Sequence, residues 1–322
     1  MNTSEDSYAI AASFNDGFAL AAAVALRSVS MHWTKSEPVD VYIFDGGVTA
    51  VSRSRVEQSI DSERMRLHWC RVDEGQFQDL PRRMKGTLQS VYRFAIADML
   101  PPTIQRVVWI DLDVLVYRCL SELWEVDLDG KPIAAVQDMA IPYISSPLGL
   151  QPFKKGDPTS KLPYFNSGLV VIDMNRWRTD ESAHQLIQLL KDQPWGIGHQ
   201  DQHAMNVLYL NNWVALDLRW NVLSSLAGRS FYKAPPPALP RERDVASAPW
   251  LVHYAGYFKP WKIKGRLPFF DDFKTMLEQC PFPPIRYKRF AGLPALYDQY
   301  LRHWLYPLER LCWIMRHRLT GN

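Results

Sequence analysis

The chain has no long hydrophobic run, no marked charge excess, no clustered cysteines and no glycine-rich phosphate loop. Each absence removes a class of function. The longest apolar stretch near the amino terminus, Phe18 to Leu26, stops at Arg27 and is too short to span a bilayer. A net charge of +3 over 322 residues leaves no electrostatic footprint for nucleic acid, and no nucleic-acid recognition module is legible. Cys70, Cys119, Cys280 and Cys312 are widely spaced and form no C-x-x-C pair, so they read as free thiols of a reducing compartment. Met1 to Ser7 is polar and acidic, unlike a secretory signal, and the expected location is cytoplasmic. A nucleotidyltransferase would want a glycine-rich, basic loop after the first strand, and Ala12-Ser13-Phe14-Asn15 has neither feature.

What is present suits a soluble α/β protein, with 47% hydrophobic and 22% charged residues. Tyr8 to Ala12, Val39 to Phe44 and Met65 to Cys70 read as strands. Phe18 to Met31, Ser52 to Ile60 and Leu88 to Leu100 read as helices between and after them, the last ended by Pro101-Pro102. Strands at Pro132 to Val136, Gly168 to Asp173 and Leu251 to Tyr254 follow, with helices at Asp180 to Lys191 and Gln200 to Leu210. Ala234 to Pro240 holds four prolines in seven residues and reads as an irregular surface loop. The alternation predicts a mostly parallel sheet with helices on both faces. The expected organisation is a main domain over residues 1–280 and an extension over 281–322.

Asp111-Leu112-Asp113 is the most informative motif. It follows the apolar run Val107-Val108-Trp109-Ile110, so two carboxylates two residues apart leave a buried strand on the same side. Unpaired charges are costly in such a place. A hard divalent cation removes the cost and keeps positions open for phosphate oxygens. A turn with solvated aspartates competes with that reading on this segment alone.

Three more motifs follow in order. Phe165-Asn166-Ser167-Gly168 places an amide and a hydroxyl at the edge of an apolar strand, where they suit sugar hydroxyls, or equally a local turn. Gln200-Asp201-Gln202-His203 opens a helix, where polar side chains also serve as caps. In His253-Tyr254-Ala255-Gly256-Tyr257-Phe258-Lys259-Pro260-Trp261, His253 is a candidate third metal ligand, Gly256 allows close backbone approach, and Lys259 is a compact cation suited to phosphate.

Together, D-L-D-V-L-V, F-N-S-G-L-V-V-I-D-M-N-R-W-R, Q-D-Q-x-A-M-N and H-Y-A-G-Y-F-K-P-W resemble the retaining glycosyltransferases of family 8 over roughly residues 8 to 275. That group includes bacterial lipopolysaccharide galactosyl- and glucosyltransferases and glycogenin. The resemblance implies a GT-A fold, a UDP-hexose donor and Mn2+, with Mg2+ as the substitute. It implies Asp111, Asp113 and His253 as metal ligands, and Asp201 and Gln202 around the anomeric centre. Ala11 and Asn15 match the nucleotide-facing turn, with Leu112 near the ribose. Arg93 and Asp138 match sugar-contacting positions, Asn166 and Ser167 the donor-sugar turn, and Gly256 and Lys259 the diphosphate loop. The implied acceptor is a glycan or a lipid-linked saccharide. Two departures stand out: Ser13 replaces the usual acidic base-contacting residue, with Asp16 as its nearest substitute, and His203 stands where relatives often carry an acidic residue. A catalytically degenerate nucleotide-sugar-binding protein is the competing reading.

Residues 285 to 322 change character. Seven Arg or Lys face only Asp298 and Glu309, and Leu293, Leu296, Tyr300, Trp304, Leu308, Leu311 and Met315 step by three or four. The pattern predicts a basic amphipathic helical tail, divided at Pro307. It fits an anionic membrane surface or a protein face equally.

Overall fold

In the computed structural model, Ala9–Phe14 (β1), Val39–Asp45 (β2) and Met65–Arg71 (β3) pair in parallel, and β1 also pairs in parallel with Arg106–Ile110 (β4). The residues described are 7–80, 88–146, 148–150, 157–192, 200–224, 245, 247–256, 259–262 and 267–287. The expected loop at 234–240 and the expected helical tail from 288 onward lie outside the described residues.

Alternation of side chains builds a core on each side of the sheet. Ile10, Ala12, Val108 and Ile110 enter one core, while Ala9, Ala11, Val107 and Trp109 enter the other. The first core is roofed by Ala19–His32 (α1), in which Ala19, Ala21, Ala22, Ala23, Val24, Ala25 and Leu26 are all buried. The first two turns of this helix are apolar on every side and must be enclosed, and the helix packs against Ala50–Glu57 (α2), Val114–Val116 (β5) and Phe270–Leu277 (α8).

The rest of the sheet turns over once. Phe165–Asp173 (β7) runs antiparallel to both β4 and Ile133–Gln137 (β6), and Val214–Ala215 (β8) closes the order β3-β2-β1-β4-β7-β6-β8. The second core is covered by Met174–Thr179 (α5), Ser182–Asp192 (α6) and Gln200–Leu208 (α7). A small second sheet holds β5, Leu251–His253 (β10) and Val222–Leu223 (β9) in that order. Cys70, Cys119 and Cys280 carry free thiols.

Two local expectations are revised. The helix expected over Leu88 to Leu100 is two short helices, Leu88–Val91 (α3) and Ile96–Met99 (α4), joined by a 3-10 turn at Tyr92–Ala95. All four residues of that turn are buried, and Arg93 bonds back to the Ser90 carbonyl and across to that of Ser167. Tertiary bonds, rather than helical periodicity, set the backbone here. Val114-Leu115-Val116 does not prolong β4. It leaves the main sheet and pairs antiparallel with β10. The strand expected from Gly168 begins at Phe165, so the polar pair Asn166-Ser167 lies inside β7, beside a register shift at Ala135/Val136 of β6. Past residue 280, Phe282 and Ile285 pack on the first core, and the ring of Tyr287 lies 5.9 Å from that of Phe270.

Candidate active site

The topology gathers the motifs at one sheet edge. β1, β2, β3 and β4 end there, β7 begins there because it runs the other way, and β6 ends beside Phe165. Such an edge is the usual ligand crevice of an open α/β sheet. Asp111 and Asp113 occupy the junction between the two sheets. The Asp111 amide donates to the Gly168 carbonyl at 2.8 Å, and the Asp113 carbonyl accepts from Tyr254 N at 2.8 Å. The small sheet places His253 opposite Val114, next to the motif.

One ligand atom from each of Asp111, Asp113 and His253 lies within 4.8 Å of the others. His253 Nε2 is 3.2 Å from Asp113 Oδ1 and 4.0 Å from Asp111 Oδ2. Two carboxylates and an imidazole around one point form a donor set that fits a divalent metal ion. His253 is 3% exposed, and its Nδ1 meets Asn221 Oδ1 at 3.0 Å.

Two cations sit beside the acidic pair. Lys259 is buried, and its ammonium donates to Asp113 and, at 2.6 Å, to the Tyr254 carbonyl. Burial alone would raise the Asp113 pKa. The Lys259 ammonium and the His253 imidazole outweigh burial and hold its carboxyl well below the usual carboxylate range. Burial likewise disfavours charge on His253, but the Asp113 and Asp111 carboxylates prevail and raise its pKa. Arg93 ties three motifs together: it donates to Asp111 Oδ1 at 2.9 Å and to the Ser167 carbonyl at 2.6 Å, and lies 3.3 Å from Asp201 Oδ2. Its guanidinium stacks over Trp109, whose indole N–H also donates to Asp111.

A buried polar layer continues from there. Asp138 Oδ1 accepts from Ala140 N and Ile141 N, and Oδ2 accepts from the amides of Asn166 at 2.9 Å and Gln202 at 3.2 Å. Gln202 Oε1 accepts from Ser167 N at 3.0 Å. Asn206 pins α7 to β7, accepting from Phe165 N and donating to Phe165 O, both at 2.9 Å. His203 points into this layer, with Nδ1 against the Tyr164 hydroxyl.

The remaining expected positions lie around this centre. Ala11 is fully buried in β1 between Tyr42 and Trp109, and Asn15 is half-buried at the exit of β1, one strand over from Asp111. The Leu112 side chain is in the first core. Gly256 is exposed with φ +87°, a backbone that favours glycine. The Ser13 hydroxyl donates to the Gln89 carbonyl at 2.6 Å, and Asp16 Oδ1 accepts from Thr49 N and Oγ1 at 3.0 and 2.8 Å, so both are engaged by the protein itself. Asn221, Trp109 and Asn206 were not legible as site residues. Trp220-Asn221 carries no spacing signal, and only the pairing of β9 with β10 brings Asn221 to His253.

The chain is 26% identical to General stress protein A of Bacillus subtilis over 252 residues, 76% of this chain and 84% of that protein. It is 23% identical to the lipopolysaccharide 1,2-glucosyltransferase of Escherichia coli, over 88% of this chain and 80% of the relative. In fold it is similar to the galactosyltransferase LgtC, solved in complex with donor and acceptor sugar analogues, with TM-score 0.70, 20% identity, and 86% and 97% of the two chains covered. This is the mixed α/β, mostly parallel GT-A arrangement. The sequence pattern described as Glycosyl transferase family 8 matches residues 9–265, and the chain belongs to that family.

Proposed function

We propose that the chain is a metal-dependent, retaining hexosyltransferase that moves galactose or glucose from a UDP-sugar to a glycan or lipopolysaccharide acceptor. The observation that carries this reading is the convergence of Asp111, Asp113 and His253 beside Lys259 at the ligand edge of the sheet. Asp111, Asp113 and His253 are assigned to hold Mn2+, with Mg2+ as the substitute, and a bound ion there supplies Lewis-acid stabilisation of a diphosphate leaving group. Lys259 adds a fixed cation at the same place. Two of its three N–H groups go to Asp113 and the Tyr254 carbonyl, which leaves a third for a phosphate oxygen. Arg93 holds Asp201 near Asp111, where its carboxylate is assigned to orient donor hydroxyls. Asn166 and Ser167 are assigned to the donor-sugar turn, with Asp138 behind them, and Asn15 and Gly256 to the nucleotide and diphosphate path, with Ala11 and Leu112 buried beneath it. Gln202 is assigned to the face opposite the leaving group. An amide is a poor nucleophile, so attack from the leaving-group face is favoured, with the departing phosphate taking the acceptor's proton.

Incubation with radiolabelled UDP-galactose or UDP-glucose and Mn2+ tests this reading. Metal-dependent transfer or hydrolysis is expected. Donor binding seen as a raised melting temperature, without turnover, would instead support a degenerate binder, for which the engagement of Ser13 and Asp16 elsewhere is the favouring observation.

The basic amphipathic tail within residues 285–322 is proposed as a peripheral anchor to an anionic membrane surface at the cytoplasmic face. No helix among the described residues is long and apolar enough to cross a membrane. Removing residues 290–322 should release the protein from anionic vesicles, and unchanged vesicle binding would reject the role.

A further inference from the structure

One chain of amide hydrogen bonds runs from Asp138 to His253, and its polarity can be read without ambiguity. Asp138 is 3% exposed; its Oδ1 receives two backbone N–H groups, and its Oδ2 lies against the Asn166 amide, whose oxygen is claimed by the Gly168 N–H. Asn166 must therefore turn its NH2 toward Asp138, which it does at 2.9 Å. The Asn166 Oδ1 faces the Gly168 amide at 2.8 Å, and it also faces Asn221. Asn221 must offer its NH2 to that oxygen, at 2.9 Å, and so presents Oδ1 to His253 Nδ1 at 3.0 Å. An amide oxygen only accepts, so Nδ1 must carry a hydrogen. The other ring nitrogen, Nε2, points at Asp111 and Asp113. Asn166, Asn221 and His253 are 7%, 2% and 3% exposed, so water has little access to relax any link.

We infer that Asn221 and Asp138 are positioning residues of the metal site: the buried relay Asp138–Asn166–Asn221 fixes the hydrogen of His253 on Nδ1 and leaves the Nε2 lone pair for a divalent cation. The inference rests on the metal assignment above. It adds what that assignment leaves open, namely why the imidazole is presented in a metal-binding tautomer and why a carboxylate remote from His253 should govern it. Outer partners that orient a metal-binding imidazole typically account for about 10–100-fold in metal affinity.

The polarity argument gives a test that simple loss of packing does not mimic. In Asp138→Asn the shape is kept, but the two backbone N–H groups claim the amide oxygen and leave an NH2 facing the Asn166 NH2. Asn166 cannot invert, because the Gly168 N–H claims its Oδ1, so the two facing NH2 groups push its amide out of line and disturb the acceptor that Asn221 presents to His253 Nδ1. Mn2+ affinity, measured by electron paramagnetic resonance without nucleotide sugar, is expected to fall about 10–100-fold in Asp138→Asn and in Asn221→Leu. A residue that only touched the sugar would leave this affinity unchanged. Wild-type binding is measured first: no bound Mn2+ in the wild type would overturn the metal assignment itself. Wild-type binding that persists undiminished in both variants would overturn the relay alone. Should Asn221→Leu fail to fold, long-range 1H–15N spectra of the wild type loaded with diamagnetic Mg2+ decide the matter. An Nδ1–H imidazole at His253 is expected, and an Nε2–H imidazole would refute the inference.

Discussion

Asp111→Asn is expected to lower turnover of the nucleotide sugar by about 10²–10³-fold and to leave the fold standing. The side chain of Asp111 is 30% exposed, so its replacement strands no deeply buried charge. An asparagine oxygen still accepts from Arg93 and from the Trp109 indole, which now donate to Asp111 Oδ1. Arg93 also keeps Asp201 at 3.3 Å. What disappears is one negative charge facing the cation position. The neighbouring change, Asp113→Asn, confounds two effects. Asp113 is buried against the ammonium of Lys259 and the ring of His253, and removing one partner of a buried pair costs about 3–5 kcal/mol of stability. Steady-state kinetics with Mn2+, alongside thermal melting, separates the variants. A folded Asp111→Asn enzyme with near-normal metal-dependent turnover would remove Asp111 from the metal site.

Gly168→Ala should behave as a metal-site variant although glycine carries no ligand. A Cβ at residue 168 would stand 2.3 Å from His253 Cε1, 2.7 Å from His253 Nδ1 and 2.9 Å from Asn166 Oδ1. The β7 backbone cannot retreat freely, because the Gly168 carbonyl accepts from Asp111 N and its amide donates to Asn166. The imidazole must therefore move, and with it the geometry of the cluster. About 1–3 kcal/mol of destabilisation from overpacking is expected, together with a loss of Mn2+ affinity of about 10–100-fold, the size seen when support for a metal ligand fails. Gly256→Ala is the informative contrast: φ is +87° there, but nothing lies within 4 Å of the added carbon, so only backbone strain of about 1 kcal/mol is expected. Melting curves and metal titrations of the two variants check both statements. Wild-type metal affinity in Gly168→Ala would show that His253 is not held by β7.

The features legible in the sequence were those carried by long periodic segments or by compact motifs. The first three strands and α1 emerge from apolar or alternating stretches of five or more residues, and the four polar motifs are visible because each abuts a strand or opens a helix. The second sheet was not legible beyond β10, since β5 and β9 hold only three and two residues, too short for an alternation to register. The helix α8 follows Phe269, whose left-handed backbone and lack of a side-chain cap give no start signal. The family resemblance implies a sugar contact for Arg93. The folded chain shows it spanning Asp111, Ser167 and Asp201, a junction that exists only once three separate strands and helices meet. Asn221 was invisible for the same reason: its partner His253 lies 32 residues away and is reached by strand pairing alone.

Electron spin-echo spectroscopy of the purified protein titrated with Mn2+ asks most directly whether these groups hold a cation. One bound ion per chain is expected, with nitrogen modulation from a single imidazole, and both are expected to weaken in Asp111→Asn. Bound manganese with no imidazole coupling, or no stoichiometric binding at all, would contradict the metal centre.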